Sequence, residues 1–105
     1  MSNRNSFKPA AFAALLVFGA GAPVLAASDK ADLLQSCAPC HGVDGIGHDA
    51  EIPNLAGQNE AYLYNQLRAF REGRRAHKEM LHMSRTLTDD DMRALAGYFA
   101  KLPPR

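Results

Sequence analysis

The chain has 105 residues, with 12 Lys and Arg against 11 Asp and Glu, four His, two Cys and no Trp, for a net charge of +1. That balance gives no sign of a nucleic-acid partner. The length allows one small domain, near the size where an apolar core alone is marginal and a staple such as a metal or cofactor is usual.

The first segment reads as an export signal. "MSNRNSFK" carries Arg4 and Lys8 and no acid, and an uncharged, Ala-rich run follows over residues 9–27. A basic start, an apolar middle and small residues at "VLA" before Ala27 predict a signal peptide over 1–26, cleaved after Ala26. The alternative is an uncleaved anchor, since the run is just long enough to span a bilayer. Its Ala and Gly content and Pro23 would insert weakly. Cleavage leaves residues 27–105 as one domain, in which 10 cations face 11 acids once Arg4 and Lys8 are gone, a net charge of −1. Export also places Cys37 and Cys40 in an oxidising compartment, where unprotected thiols do not persist.

Three helical patterns follow, separated by Gly- and Pro-containing loops. Residues 28–40, "SDKADLLQSCAPC", open with Ser28 and Asp29 as caps, put Ala31, Leu34 and Ala38 on one side, and are expected to end at Pro39 and Gly42. A loop, "GVDGIGHDAEIPNLAGQ", shows no strand alternation. Residues 59–73, "NEAYLYNQLRAFREG", repeat Leu63, Leu67 and Phe70 at i, i+4, i+7, with Tyr62 and Gln66 beside them, Asn59 as cap and Gly73 as stop. A basic loop, "RRAHKEMLHMSRTL", holds Met80 and Met83. The last helix, residues 88–102, starts at Thr88 with Asp91 in capping-box position and Asp89 to Asp91 at the positive end of the helix dipole. Met92, Leu95, Ala96, Phe99 and Leu102 form its buried stripe, and Pro103 and Pro104 stop it. The fold class is all-α, with three main helices.

"CAPCH", residues 37–41, contains both cysteines. A redox dithiol needs a thioredoxin-like scaffold, and no strands are predicted. Zinc needs a second ligand pair, and His48, His77 and His82 are scattered. A Cys37–Cys40 disulfide closes a loop too small to staple a fold strongly. Covalent haem c meets every constraint. Two thiols one helical turn apart can add to the vinyl groups along one porphyrin edge, and His41 then lies under the iron. The thioethers consume the thiols, and the ring supplies apolar mass that the short chain lacks.

With "CAPCHG", "IPNLAGQ", "YLYNQLRAFREGRR" and "LTDDDMRALAGYFAKL", residues 27–105 resemble a class I c-type cytochrome of the small bacterial cytochrome c-553 type. They are also similar to one half of the periplasmic dihaem cytochromes. The resemblance implies a first and a last helix that cross near one haem, covalent through Cys37 and Cys40. It implies a methionine sixth ligand seven residues before Leu87, which is Met80, with Met83 as the alternative, packing against the ring. His82 is a runner-up ligand. Met92 lies on an apolar stripe and reads as core. The resemblance further implies that the Pro53 carbonyl orients His41 and that Leu55 packs on the ring.

Tyr62, Gln66 and Arg74 are candidate donors to the haem propionates, each with an ordinary packing or solvated role as its competitor. The basic run from Arg68 to Lys78 reads as a solvated helix end that also compensates propionate charge, ahead of a docking patch for an acidic partner. His48 has no evident ligand role. The expected function is single-electron transfer in the periplasm, without enzymatic activity. Its partners would be redox proteins: a cytochrome reductase complex, a dehydrogenase or a terminal oxidase. The alternatives are a haem subunit of a larger oxidoreductase, and a haem enzyme or gas sensor with an open sixth position.

Overall fold

The computed structural model describes residues 29–105. The expected signal segment, its cleavage point and the Ser28 cap lie outside the described residues. Within them the chain forms four helices and no strands: α1 (Lys30–His41), α2 (Glu60–Arg71), α3 (Lys78–Ser84) and α4 (Asp89–Ala100). The architecture is all-α, as expected, with a fourth, short helix added to the three main ones. Among the described residues no helix is long and apolar enough to cross a membrane.

Helix α1 departs from expectation in two ways. It does not stop at Pro39; it runs through that residue to His41 and ends at Gly42, whose φ of 80° suits glycine. The Gly42 N–H closes the last turn on the Ala38 carbonyl at 2.8 Å. Nor is the Ala31–Leu34–Ala38 side the whole of the buried one. Ala31 is exposed, Leu33 is buried, and Leu34 and Cys37 pack half-buried on the core. Leu33, Cys37 and His41 are four residues apart and share one helix face. Leu34 and Ala38 are half-buried like Cys37, so the inward face keeps part of the expected side and extends it to Leu33, Cys37 and His41.

Helix α2 starts where Asn59 accepts a hydrogen bond from the Tyr62 N–H at 2.9 Å. Leu63, Ala69 and Phe70 are buried along it and Leu67 is half-buried. Gly73, at φ 74°, turns the chain away from the helix. Helix α4 has the predicted capping box. Thr88 Oγ1 accepts from the Asp91 N–H, and Asp91 Oδ2 accepts from the Thr88 N–H, both at 3.0 Å. Met92, Leu95, Ala96 and Phe99 are buried on its inner face.

The core forms where α1 and α2 meet α4, from Leu33, Leu63, Leu95, Ala96 and Phe99. Each fully buried Leu or Phe contributes about 1.5–3 kcal/mol. Arg71 fastens the end of α2 to the start of α4. Its guanidinium donates to the Leu87 carbonyl at 3.1 Å and to Asp89 at 2.7 Å. That hydrogen bond holds the Asp89 carboxyl below its ordinary value.

The segment read as a basic loop contains α3. It has seven residues, too few for an isolated helix to persist in water. Ser84 is fully buried, and Met80 and Leu81 are half-buried, so packing against α2 supplies what propensity does not. Polar residues at most positions of so short a helix hide its period. Thr88→Ala should lower the unfolding free energy of the haem-loaded protein by about 1 kcal/mol, read by denaturant titration. A change within 0.3 kcal/mol or so would mean that the capping box contributes little beyond what water provides.

Candidate functional site

The last turn of α1 carries Cys37, Cys40 and His41, and the loop after it is folded back to meet them. His41 Nδ1 lies 3.0 Å from the Pro53 carbonyl oxygen. A carbonyl only accepts, so Nδ1 holds the proton and donates, leaving the Nε2 lone pair for a metal. The return loop is closed by backbone bonds: the Leu55 and Ala56 N–H groups donate to the Gly45 carbonyl at 2.7 and 3.0 Å. Asn54 Oδ1 accepts from the Gly47 N–H at 2.8 Å. Gly45 stands at φ 74°, and a Cβ there would come within 2.8 Å of the Ala56 nitrogen.

Cys37 and Cys40 are not bridged to each other. Burial pushes the Cys37 thiol above its usual value, and its Sγ contacts the Leu33 carbonyl at 3.6 Å. Cys40 is exposed on the adjacent side of the turn. Among the described residues no three His, Cys, Asp or Glu side chains converge on a metal site. The zinc reading therefore has no ligand set here.

A cleft of about 180 Å³ runs from Cys37 toward α3, lined by Leu33, Leu67, Leu87, Met80 and Met83 among others. Met80 is half-buried in it, whereas Met83 is 43% exposed. His82 does not line this cleft; it faces a separate outer groove with Lys78, Glu79 and Arg85. The donor set fits haem c: two thiols one turn apart, an adjacent imidazole with Nε2 free, and a cleft of mixed lining that Cys37 shares with Met80 and Met83.

The remaining candidates sit as follows. Leu55 is half-buried against the core. Tyr62 is 47% exposed. Gln66 Oε1 accepts from Arg75 at 2.8 Å, while Arg74 is exposed and bonded to Glu72 at 2.7 Å. The structure thus brings Arg75 to Gln66 and leaves Arg74 at the helix end. Arg75 also lies over the Phe70 ring at 4.6 Å, a contact between residues five apart that only the turn at Gly73 creates. The hydrogen bond from Arg74 holds the Glu72 carboxyl below its ordinary value. His48 is exposed, and its backbone N–H is tied to the Cys40 carbonyl at 3.4 Å.

Four helices around a Cys-x-x-Cys-His turn, with a carbonyl-oriented imidazole, define a class I c-type cytochrome domain. The sequence pattern of the family described as Cytochrome c matches residues 27–103, and the chain belongs to that family. Members carry haem c covalently through a cysteine pair, and Cys37 and Cys40 are that pair here. The chain is 42% identical over 72 residues to a thiosulfate dehydrogenase electron acceptor of Stutzerimonas stutzeri, covering 66% of this chain and 33% of that protein. It is 36% identical over 72 residues to cytochrome c-554(548) of Halomonas halodenitrificans, covering 66% of this chain and 87% of that one. Among solved structures it matches reduced cytochrome c4 from Pseudomonas stutzeri with a TM-score of 0.60 and 38% identity, over 64% of this chain and 38% of the other. The chain spans about a third of the length of the first curated relatives it matches.

Gly45→Ala should cost more than ~1 kcal/mol, because it combines a positive φ with a backbone clash. The loss should appear both in the denaturation midpoint and in the yield of haem-loaded protein. An unchanged midpoint would show that the return loop has another way to close.

Proposed function

We propose that this chain is an exported single-electron carrier whose haem c is held through Cys37 and Cys40, with His41 and Met80 on the iron. The observation that supports the reading is the His41–Pro53 bond, which leaves Nε2 free one residue after Cys40, together with a cleft that Cys37 shares with Met80. Pro53 fixes the imidazole tautomer and its direction. Met80 presents a thioether from the half-buried side of α3, and Met83 packs at the rim. Leu33, Leu55, Leu67 and Leu87 exclude water, which with a thioether ligand favours a raised potential. Bound haem supplies an iron that cycles between ferrous and ferric states. His41 and Met80 would together hold the iron and leave no open position for a substrate, so the chain would act as a carrier and not as an enzyme.

Tyr62, Gln66 and Arg74 remain candidates for the propionates, and the pairing of Gln66 with Arg75 adds Arg75 to them. The segment 1–26 acts as a cleaved export signal that delivers the domain of residues 27–105 to the periplasm. The partners are redox proteins there, in a respiratory chain: a cytochrome reductase complex, a dehydrogenase or a terminal oxidase. A relative named as the electron acceptor of a thiosulfate dehydrogenase supports that class of partner.

Absorbance tests the ligand set. The ferric protein should show the weak long-wavelength sulfur-to-iron band, lost in Met80→Ala and kept in Met83→Ala. The opposite pattern would move the ligand to Met83, and a high-spin parent spectrum that shifts at once with carbon monoxide on reduction would replace the carrier with a sensor or enzyme. Attachment is tested separately by acid and organic extraction. Colour should stay with the polypeptide, and Cys37→Ser combined with Cys40→Ser should let it leave.

A further inference from the structure

His77 stands just before α3 with extended backbone, φ −161° and ψ 115°. Its Nδ1 accepts a hydrogen bond from the Met80 N–H at 3.2 Å. The first N–H groups of any helix lack partners within it, and the one that His77 satisfies belongs to Met80 itself. Histidine is not among the side chains usually found in this capping position.

The same ring has a second contact. It meets Phe70 edge-on, with centroids 6.1 Å apart and an interplanar angle of 69°. Phe70 is buried on α2. One imidazole therefore joins the inner face of α2 to the backbone of Met80, which lines the cleft. Serine or asparagine could satisfy the same N–H but would not reach Phe70 with an aromatic edge. In a helix of seven residues, too short to hold its own first turn, such a brace carries a large share of local order.

We propose that His77 is the positioning residue for the sixth iron ligand: its Nδ1 holds the first turn of α3 so that the Met80 thioether stays directed into the cleft beside Cys37. This rests on Met80 being the ligand, and the test separates the two. Loss of the sulfur-to-iron band in Met80→Ala is established first; its persistence would overturn the ligand assignment and leave His77 nothing to position.

The test then uses cyanide, which competes with the thioether, on haem-loaded ferric His77→Phe and His77→Asn. Phenylalanine keeps an aromatic ring near Phe70 but has no acceptor. Asparagine restores a short acceptor without the ring. Loss of the cap should open the sulfur–iron bond more often, so His77→Phe should bind cyanide about fivefold more tightly, with a weakened band. His77→Asn should stay within about twofold of the parent, as expected when the cap is kept. Parent-like cyanide binding in His77→Phe would overturn the proposal. So would equal tightening in both variants, which would assign the effect to the lost imidazole packing. Should His77→Phe fail to accumulate, His77→Ala against His77→Asn reads the same comparison.

Discussion

The hydrogen bond from His41 Nδ1 to the Pro53 carbonyl, 3.0 Å long, ties the last residue of α1 to a point twelve residues on. The loop that follows α1 is arranged around it. Gly42 ends α1 one residue after His41, so the imidazole leaves a helix terminus and not a continuous cylinder. The loop then returns through Gly45, whose carbonyl collects two N–H groups from Leu55 and Ala56 and brings Pro53 into range. Glycine is needed at position 45 because the backbone of Ala56 passes where a Cβ would stand. An imidazole whose tautomer is fixed by a hydrogen bond keeps its other ring nitrogen unprotonated and directed, and here the fixing group is a backbone carbonyl.

The opposite side of the cleft is built on a weaker element. Helix α3 is short, polar at most positions and dependent on contacts with α2. Its order comes from Ser84 buried at one end and the His77 cap at the other. The two walls thus differ in kind. The α1 side is held by its own covalent sequence and a closed loop, while the α3 side is held by packing across the fold.

The charged surface near α2 is settled locally. Arg68 and Arg74 both reach Glu72, Arg71 reaches Asp89, and Arg75 reaches Gln66 and the Phe70 ring. Exposed pairs of this kind add little stability each, about 0–1 kcal/mol. Their main effect is to fix side-chain directions. Arg71 is the exception in position, since its two bonds bridge the end of α2 and the approach to α4.

The sequence by itself determined the attachment turn, the starts of α2 and α4 and the core role of Met92. These depend on neighbours within four residues: a Cys-x-x-Cys-His spacing, an Asn59 cap, a Thr88–Asp91 box, and a stripe at helical period. Only the tertiary structure decided which face of α1 points inward, because Leu33, Cys37 and His41 share that face and an imidazole interrupts its apolar period. It likewise decided that residues 78–84 are helical, that Arg75 and not Arg74 meets Gln66, and that Met80 and not His82 shares the cleft with Cys37. Each of these rests on contacts between segments far apart in the chain or on a turn that reverses its direction. Local periodicity carries no information about such contacts, since their energy exists only once the helices have packed.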